Sequence, residues 1–148
     1  MYQRILIAID GSELAAKGLR EGLALARALQ AKVDILVVSE PWAMGVYDAF
    51  GWTIAYQASP EYRESREAQA QAILMPALDA ARQAGVEATG HHLLDRYAAD
   101  GILETVRESG NDLVVMASHG RRGVDKVLLG SQTQLVLTHS KVPVLVVR

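Results

Sequence analysis

The sequence contains no cysteine, which excludes disulfide frameworks and thiolate zinc sites. It also lacks an excess of charge of either sign. Fifteen Lys and Arg face seventeen Asp and Glu, for a formal net charge of −2. A general nucleic-acid binder shows a basic excess or stripe, so that class is set aside. Long hydrophobic runs are missing too. The first apolar run, Ile5 to Ile9, is too short for a signal-peptide core, and no later stretch reaches membrane-spanning length. A soluble, cytoplasmic protein with no membrane attachment is expected. Standard nucleotide motifs are absent as well. No G-x-G-x-x-G follows any apolar run. Gly120 to Val127 has P-loop spacing but carries Asp125 and Val127 where the second glycine and the Ser/Thr belong, leaving Lys126 to read as a solvated side chain.

What is present is an alternation of short β-branched runs and longer helical stretches over 148 residues, enough for one domain with a full core. Arg4 to Ile9, Val33 to Val38, Val86 to Leu94, Leu113 to Met116 and Val142 to Val147 read as strands. The first is almost continuously apolar, as strands buried on both faces of a parallel sheet are. Helices are expected from Ser12 to about Gln30, Pro60 to Ala84, Ala98 to Ser109 and Gly130 to His139. Pro76 inside the second predicts a kink or break. Gly18, Gly22 and Ala26 recur every fourth residue and would let the first helix approach the sheet closely. Such alternation implies a parallel α/β sheet covered by helices on both faces. Six of the eight aromatics fall between Trp42 and Tyr62. Packing of this connection onto the body is favoured over a lid.

Catalytic and metal readings find little support in the residues. Ser118 and Gly120 overlay a nucleophile elbow in part, but the next helix waits until about Gly130, and His119 is only a sequence neighbour. His91 and His92 are consecutive on a strand, so their side chains leave on opposite faces and cannot hold one ion. At least one of them is expected to be exposed. His139, near a helix C-terminus, suits a contact with the helix dipole.

The stretch "ASHGRRGVDKVLLGSQTQ", Ala117 to Gln134, carries three glycines, two arginines and a hydroxyl cluster between a buried strand and a helix. Gly130-Ser131-Gln132-Thr133 would set unpaired backbone N–H groups at a helix start, where about half a positive charge gathers. Such an end attracts a phosphate. The residues alone are equally consistent with Ser131 as a simple helix cap and the glycines as turns. In an open parallel sheet, ligands bind beyond the carboxyl ends of strands where the order reverses. Were the first and fourth strands neighbours, with the second beyond the first, Asp10, Val38 and this loop would meet at one crevice.

The segments "RILIAIDGSE", "VVSEP", "NDLVVMASHG", "LLGSQTQLV" and "VPVLVV" resemble, in order and over the whole chain, the universal stress protein family. Its nucleotide-binding branch carries G-x2-G-x9-G-[ST]. Gly120, nine residues and Gly130-Ser131 match it, with Ala117 in place of the first glycine. The resemblance implies a single domain over 1–148: an open five-stranded parallel sheet in the order 3-2-1-4-5, of the adenine-nucleotide alpha-hydrolase-like kind. It implies ATP, with or without Mg, as ligand. Asp10, flanked by Ala8 and Ile9, would meet the ribose or adenine, and Val38 the base. Met116 and Ala117 would line the site. Gly120, Gly130, Ser131, Gln132 and Thr133 would hold the phosphates, with His119 and Arg121 as further candidates. It also implies a homodimer through the C-terminal strand, where Pro143 suits an edge, and an unidentified protein partner. No base or metal ligand stands out, so at most slow ATP hydrolysis is expected. Two rivals stay open: a nucleotide-free interaction dimer of the same fold, and a small hydrolase using Ser118.

Overall fold

A computed structural model describes residues 1–41, 52–120 and 128–148. Five strands, β1 (Arg4–Ala8), β2 (Lys32–Ser39), β3 (Ala88–Leu94), β4 (Leu113–Ala117) and β5 (Val144–Val147), form one sheet. All pairings are parallel and the order is β3-β2-β1-β4-β5. This is the expected α/β architecture. The central strands are dry on both faces: Ile5, Leu6, Ile7, Val114 and Val115 are fully buried. On one face Ile5, Ile7, Val33, Ile35 and Val115 pack beneath α1 (Glu13–Leu29) and α3 (Pro60–Gln83). On the other, Leu6, Leu36, Val114 and Met116 pack beneath α4 (Ala98–Ser109) and α5 (Ser131–His139).

Local chemistry sets the boundaries. Ser12 caps α1 by accepting the Ala15 N–H at 3.1 Å, and Gln30 closes the helix in the left-handed conformation at φ 55°. Gly22 supplies the close approach its spacing suggests. A Cβ there would stand 2.6 Å from Ile7 Cδ1. Gly101 does the same for α4, where a Cβ would come within 2.8 Å of Val38 Cγ2.

Several local expectations are corrected. α3 runs from Pro60 to Gln83 without a break at Pro76. Pro76 and Ala72, whose carbonyl loses its donor, both lie on the exposed side of the helix, where the freed carbonyl is open to solvent. A short helix, α2 (Trp52–Gln57), stands in the aromatic connection, where the sequence reading places no helix. Residues 42–51 of that connection lie outside the described residues. Tyr62 itself packs onto the body: it is buried, stacked edge-on to Tyr56, and donates to Asp95 Oδ1 at 3.0 Å. β3 begins at Ala88 because the Val86 N–H is taken by Ala81 O in the turn after α3. β5 begins at Val144 because the Ser140 hydroxyl ties both N–H and C=O of Val142 into a turn. No described helix is long and apolar enough to cross a membrane.

Candidate functional site

The chain builds β1, β2 and β3 outward and then returns to place β4 against β1, so the strand order reverses between β1 and β4. A cavity of about 550 Å³ opens at the carboxyl ends of these strands. Ala8, Ile9, Asp10, Val38, Met116, Ala117, His119, Gly120, Gly130, Ser131, Gln132 and Thr133 all line it. Arg121, with Lys126 and the rest of 121–127, lies outside the described residues.

Asp10 follows the end of β1 and shapes the rim. Its Oδ1 accepts the Ser12 N–H at 2.9 Å, across Gly11 at φ 83°. A Cβ on Gly120 would stand 2.8 Å from Asp10 Oδ2, so glycine at 120 lets the β4 turn close on this carboxylate. Val38 forms part of the floor, although its side chain packs chiefly beneath Gly101 of α4. Ala117 is the last residue of β4, and its backbone is not in the left-handed region. The methyl group that replaces the motif glycine therefore sits on ordinary strand backbone.

The start of α5 differs in detail from the sequence reading. Gly130 is the N-cap residue and Ser131 the first helical residue, and no side chain caps the end. The first-turn N–H groups of Ser131, Gln132 and Thr133 have no intrahelical acceptor. The Thr133 hydroxyl, expected at the phosphates, is buried and reaches the carbonyls of Ala117 and Ser118 at 3.2 and 3.1 Å. The Gln132 side chain is also engaged, accepting the Ala99 N–H at 2.8 Å and so capping α4. These residues present backbone donors to the cavity while their side chains fasten α5 to β4 and α4. Gly130 is needed for that fastening: its N–H donates to Ser118 O at 2.8 Å, and a Cβ would stand 3.3 Å from His119 Cα.

Ser118 is buried in this turn and lies 3.1 Å from His119 Nδ1. It is not presented at an exposed elbow before a helix. His139 Nδ1 donates to Leu135 O at 2.9 Å, at the C-terminal end of α5 as its spacing suggests.

Two polar clusters escaped the sequence reading. On the α4–α5 face, Asp34 is fully buried and accepts from Arg4 Nε at 2.6 Å, Arg4 Nη2 at 3.1 Å and Asn111 Nδ2 at 2.7 Å. His91 Nε2 lies 2.7 Å from Asp34 Oδ1. Burial pushes the Asp34 carboxyl upward, but the bonds from Arg4, His91 and Asn111 outweigh it and hold the group below its ordinary value. On the opposite face, His92 Nδ1 lies 2.6 Å from Glu67 Oε2 and Nε2 lies 2.9 Å from Ser39 Oγ. Gln71 and His92 hold the Glu67 carboxyl below its usual range. The histidines leave the strand on opposite faces as expected. Neither is fully exposed, because each has found a carboxylate. The cavity wall also includes Ser39, Glu40, Tyr97 and, from α3, Arg66 and Gln69. Ser39 adjoins Val38 in sequence. The α3 residues carry no local signal, because only packing brings them across the sheet.

An open parallel sheet with a crevice at its switch point and an uncapped helix start inside it defines a Rossmann-like α/β domain. The family model described as "Universal stress protein family" matches residues 1–148, and the chain belongs to that family. Among its relatives, universal stress protein YxiE of Bacillus subtilis is 32% identical over 151 residues, covering 100% of both chains. The solved structure of universal stress protein UspA from Lactobacillus plantarum superposes with a TM-score of 0.81 at 20% identity, covering 99% of this chain and 98% of that one. A universal stress protein solved in complex with cAMP gives a TM-score of 0.69 at 26% identity, covering 99% and 97%.

Proposed function

We infer that the cavity binds an adenine nucleotide, ATP in the first instance. The observation that carries the reading is the start of α5: three backbone N–H groups without intrahelical acceptors, on a wall shared with Asp10 and Gly120. The related protein with cAMP supports the adenine class. The residues fit such a ligand. Gly120 leaves room that a Cβ would fill beside Asp10. Asp10 Oδ2 would accept from ribose hydroxyls while Oδ1 keeps its turn bond to Ser12. Val38 and Met116 supply apolar surface for the base. The N–H groups of Ser131, Gln132 and Thr133, reinforced by the helix dipole, would take the phosphates. His119 on the cavity wall and Arg121, next to Gly120 in sequence, are further candidates for the phosphates, and Mg, when bound with the triphosphate, would neutralise phosphate charge.

In this reading the protein is a cytoplasmic stress-response dimer that acts through nucleotide occupancy and a protein partner, with slow turnover at most. β5 is an edge strand with Leu145 40% exposed, a surface suited to pairing with a second copy. The decisive experiment is the nucleotide content of freshly purified protein, followed by calorimetric titration with ATP and adenosine. Co-purified adenine nucleotide and tighter binding of ATP than adenosine are expected. Equal affinity for the two would remove the phosphate-cradle reading. A folded dimer that binds neither would be the nucleotide-free alternative.

A further inference from the structure

The second histidine cluster is more than a surface ion pair. Ser39 ends β2 and lines the cavity, His92 projects from β3 on the same face, and Glu67 comes across from α3. The order of contacts is directional. A carboxylate only accepts, so Glu67 Oε2, 2.6 Å from His92 Nδ1, fixes the proton on that nitrogen. In the neutral imidazole Nε2 then carries the lone pair, 2.9 Å from Ser39 Oγ, and accepts the serine proton. The other oxygen of Glu67 is held by Gln71 Nε2 at 2.7 Å, so both ends of the carboxylate are anchored. The His92 side chain is only 6% exposed, which shields the imidazole from water while Ser39 still reaches the cavity.

We propose that Ser39, His92 and Glu67 form a hydrolytic relay opening on the cavity, with small carboxylic esters and thioesters as substrates. These three residue types in this order are those of the serine-hydrolase triad, which is recognised by geometry and role and not by position in the chain. Ser39 Oγ attacks the carbonyl carbon and its proton passes to His92 Nε2. The tetrahedral intermediate collapses with cleavage of the C–O or C–S bond, and Nε2 returns the proton to the departing alcohol or thiol. Water then attacks the Ser39 acyl ester, again through Nε2, releasing the carboxylic acid and restoring the serine. Ala70 and Ile73 supply apolar wall for a short acyl chain. Arg66 is the only guanidinium among the described lining residues, and its Nη2 donates to Glu40 O, the residue after Ser39. Ser39 and His92 are catalytic residues in this scheme, and Glu67 is a positioning residue.

The test is labelling of the intact protein with a fluorophosphonate probe, with the site mapped by peptide mass spectrometry. Ser39 should carry the label and p-nitrophenyl acetate should be hydrolysed. Ser39→Ala should lose both, and His92→Gln should slow labelling by about 100-fold or more. Glu67→Gln should lower kcat for p-nitrophenyl acetate by about tenfold or more with KM little changed, and Glu67→Asp, which keeps a carboxylate facing Nδ1, should recover part of it. A purely structural Glu67 would show no such split and no recovery. An unlabelled Ser39 in the folded parent overturns the proposal, as does a label on Ser118 or an unchanged rate in folded His92→Gln. Mapping on the parent stands even where a variant does not fold.

Discussion

Replacing Asp34 with alanine tests whether the buried polar cluster stabilises the domain independently of its ligand site. Removing one partner of a buried ion pair costs about 3–5 kcal/mol when the other charge stays buried. Here the Arg4 side chain is 41% exposed and His91 30% exposed, so both recover water when the carboxylate goes. Asn111 cannot. It is buried, its Oδ1 already has no partner among the described residues, and its amide would lose the bond to Asp34. An orphaned buried donor costs about 1–3 kcal/mol. With the small void added, a net loss of about 2–3 kcal/mol is expected. In urea that lowers the midpoint by about 1–2 M for typical slopes. The pH dependence has a definite sign. A carboxyl held below its ordinary value in the folded state stabilises fully above the unfolded pKa of about 3.9, and the contribution is lost as pH falls through the folded value. The gap between parent and variant should therefore be widest above about pH 4 and narrow below it. About 13 Å of strand separates Asp34 from Val38, so nucleotide affinity of the folded variant should be unchanged. A midpoint shift below about 0.3 M at unchanged slope, or a gap that does not narrow in acid, would refute the account.

Asp10→Ala should weaken ATP binding by roughly 1–3 kcal/mol through lost sugar hydrogen bonds, while Asp10→Asn, which keeps an acceptor for the Ser12 N–H, should lose less. Calorimetry separates the two: equal losses would place the role in the carboxylate's contact with the sugar and not in the turn, and no loss in either would remove that contact. Gly130→Val should abolish ATP binding, because its Cβ would press on the His119 backbone and displace the start of α5 from the β4 turn. A variant folded by circular dichroism that binds like the parent counts against the cradle. Ser118→Ala should leave ATP affinity within about twofold, since Ser118 ties the turn to α5 with its carbonyl while its hydroxyl meets the adjoining His119 ring. A chain ending at Lys141 lacks β5 and should scatter light as a monomer; a soluble folded dimer would show that another surface joins the copies.

Patterns that repeat within a few residues were legible directly. Continuous apolar runs at Arg4–Ile9 and Leu113–Met116 marked strands buried on both faces, and the small residues of α1 marked its close approach to β1. The glycines and hydroxyls of 117–133 marked a turn feeding a helix start, and the family pattern placed these with Asp10 and Val38. Long-range packing determined the rest. Thr133 and Gln132 look alike to the sequence as phosphate ligands, yet their side chains are spent on Ala117, Ser118 and Ala99, which only the docking of α5 brings near. Asp34 reads as one polar residue in a strand until Arg4, His91 and Asn111 converge on it across 30, 57 and 77 residues of chain. Ser39, Glu67 and His92 likewise have no shared local signal. Periodicity and turn chemistry are properties of neighbours along the chain and survive in the sequence. Hydrogen-bond partners across a sheet depend on register and helix docking, which exist only once the core has closed.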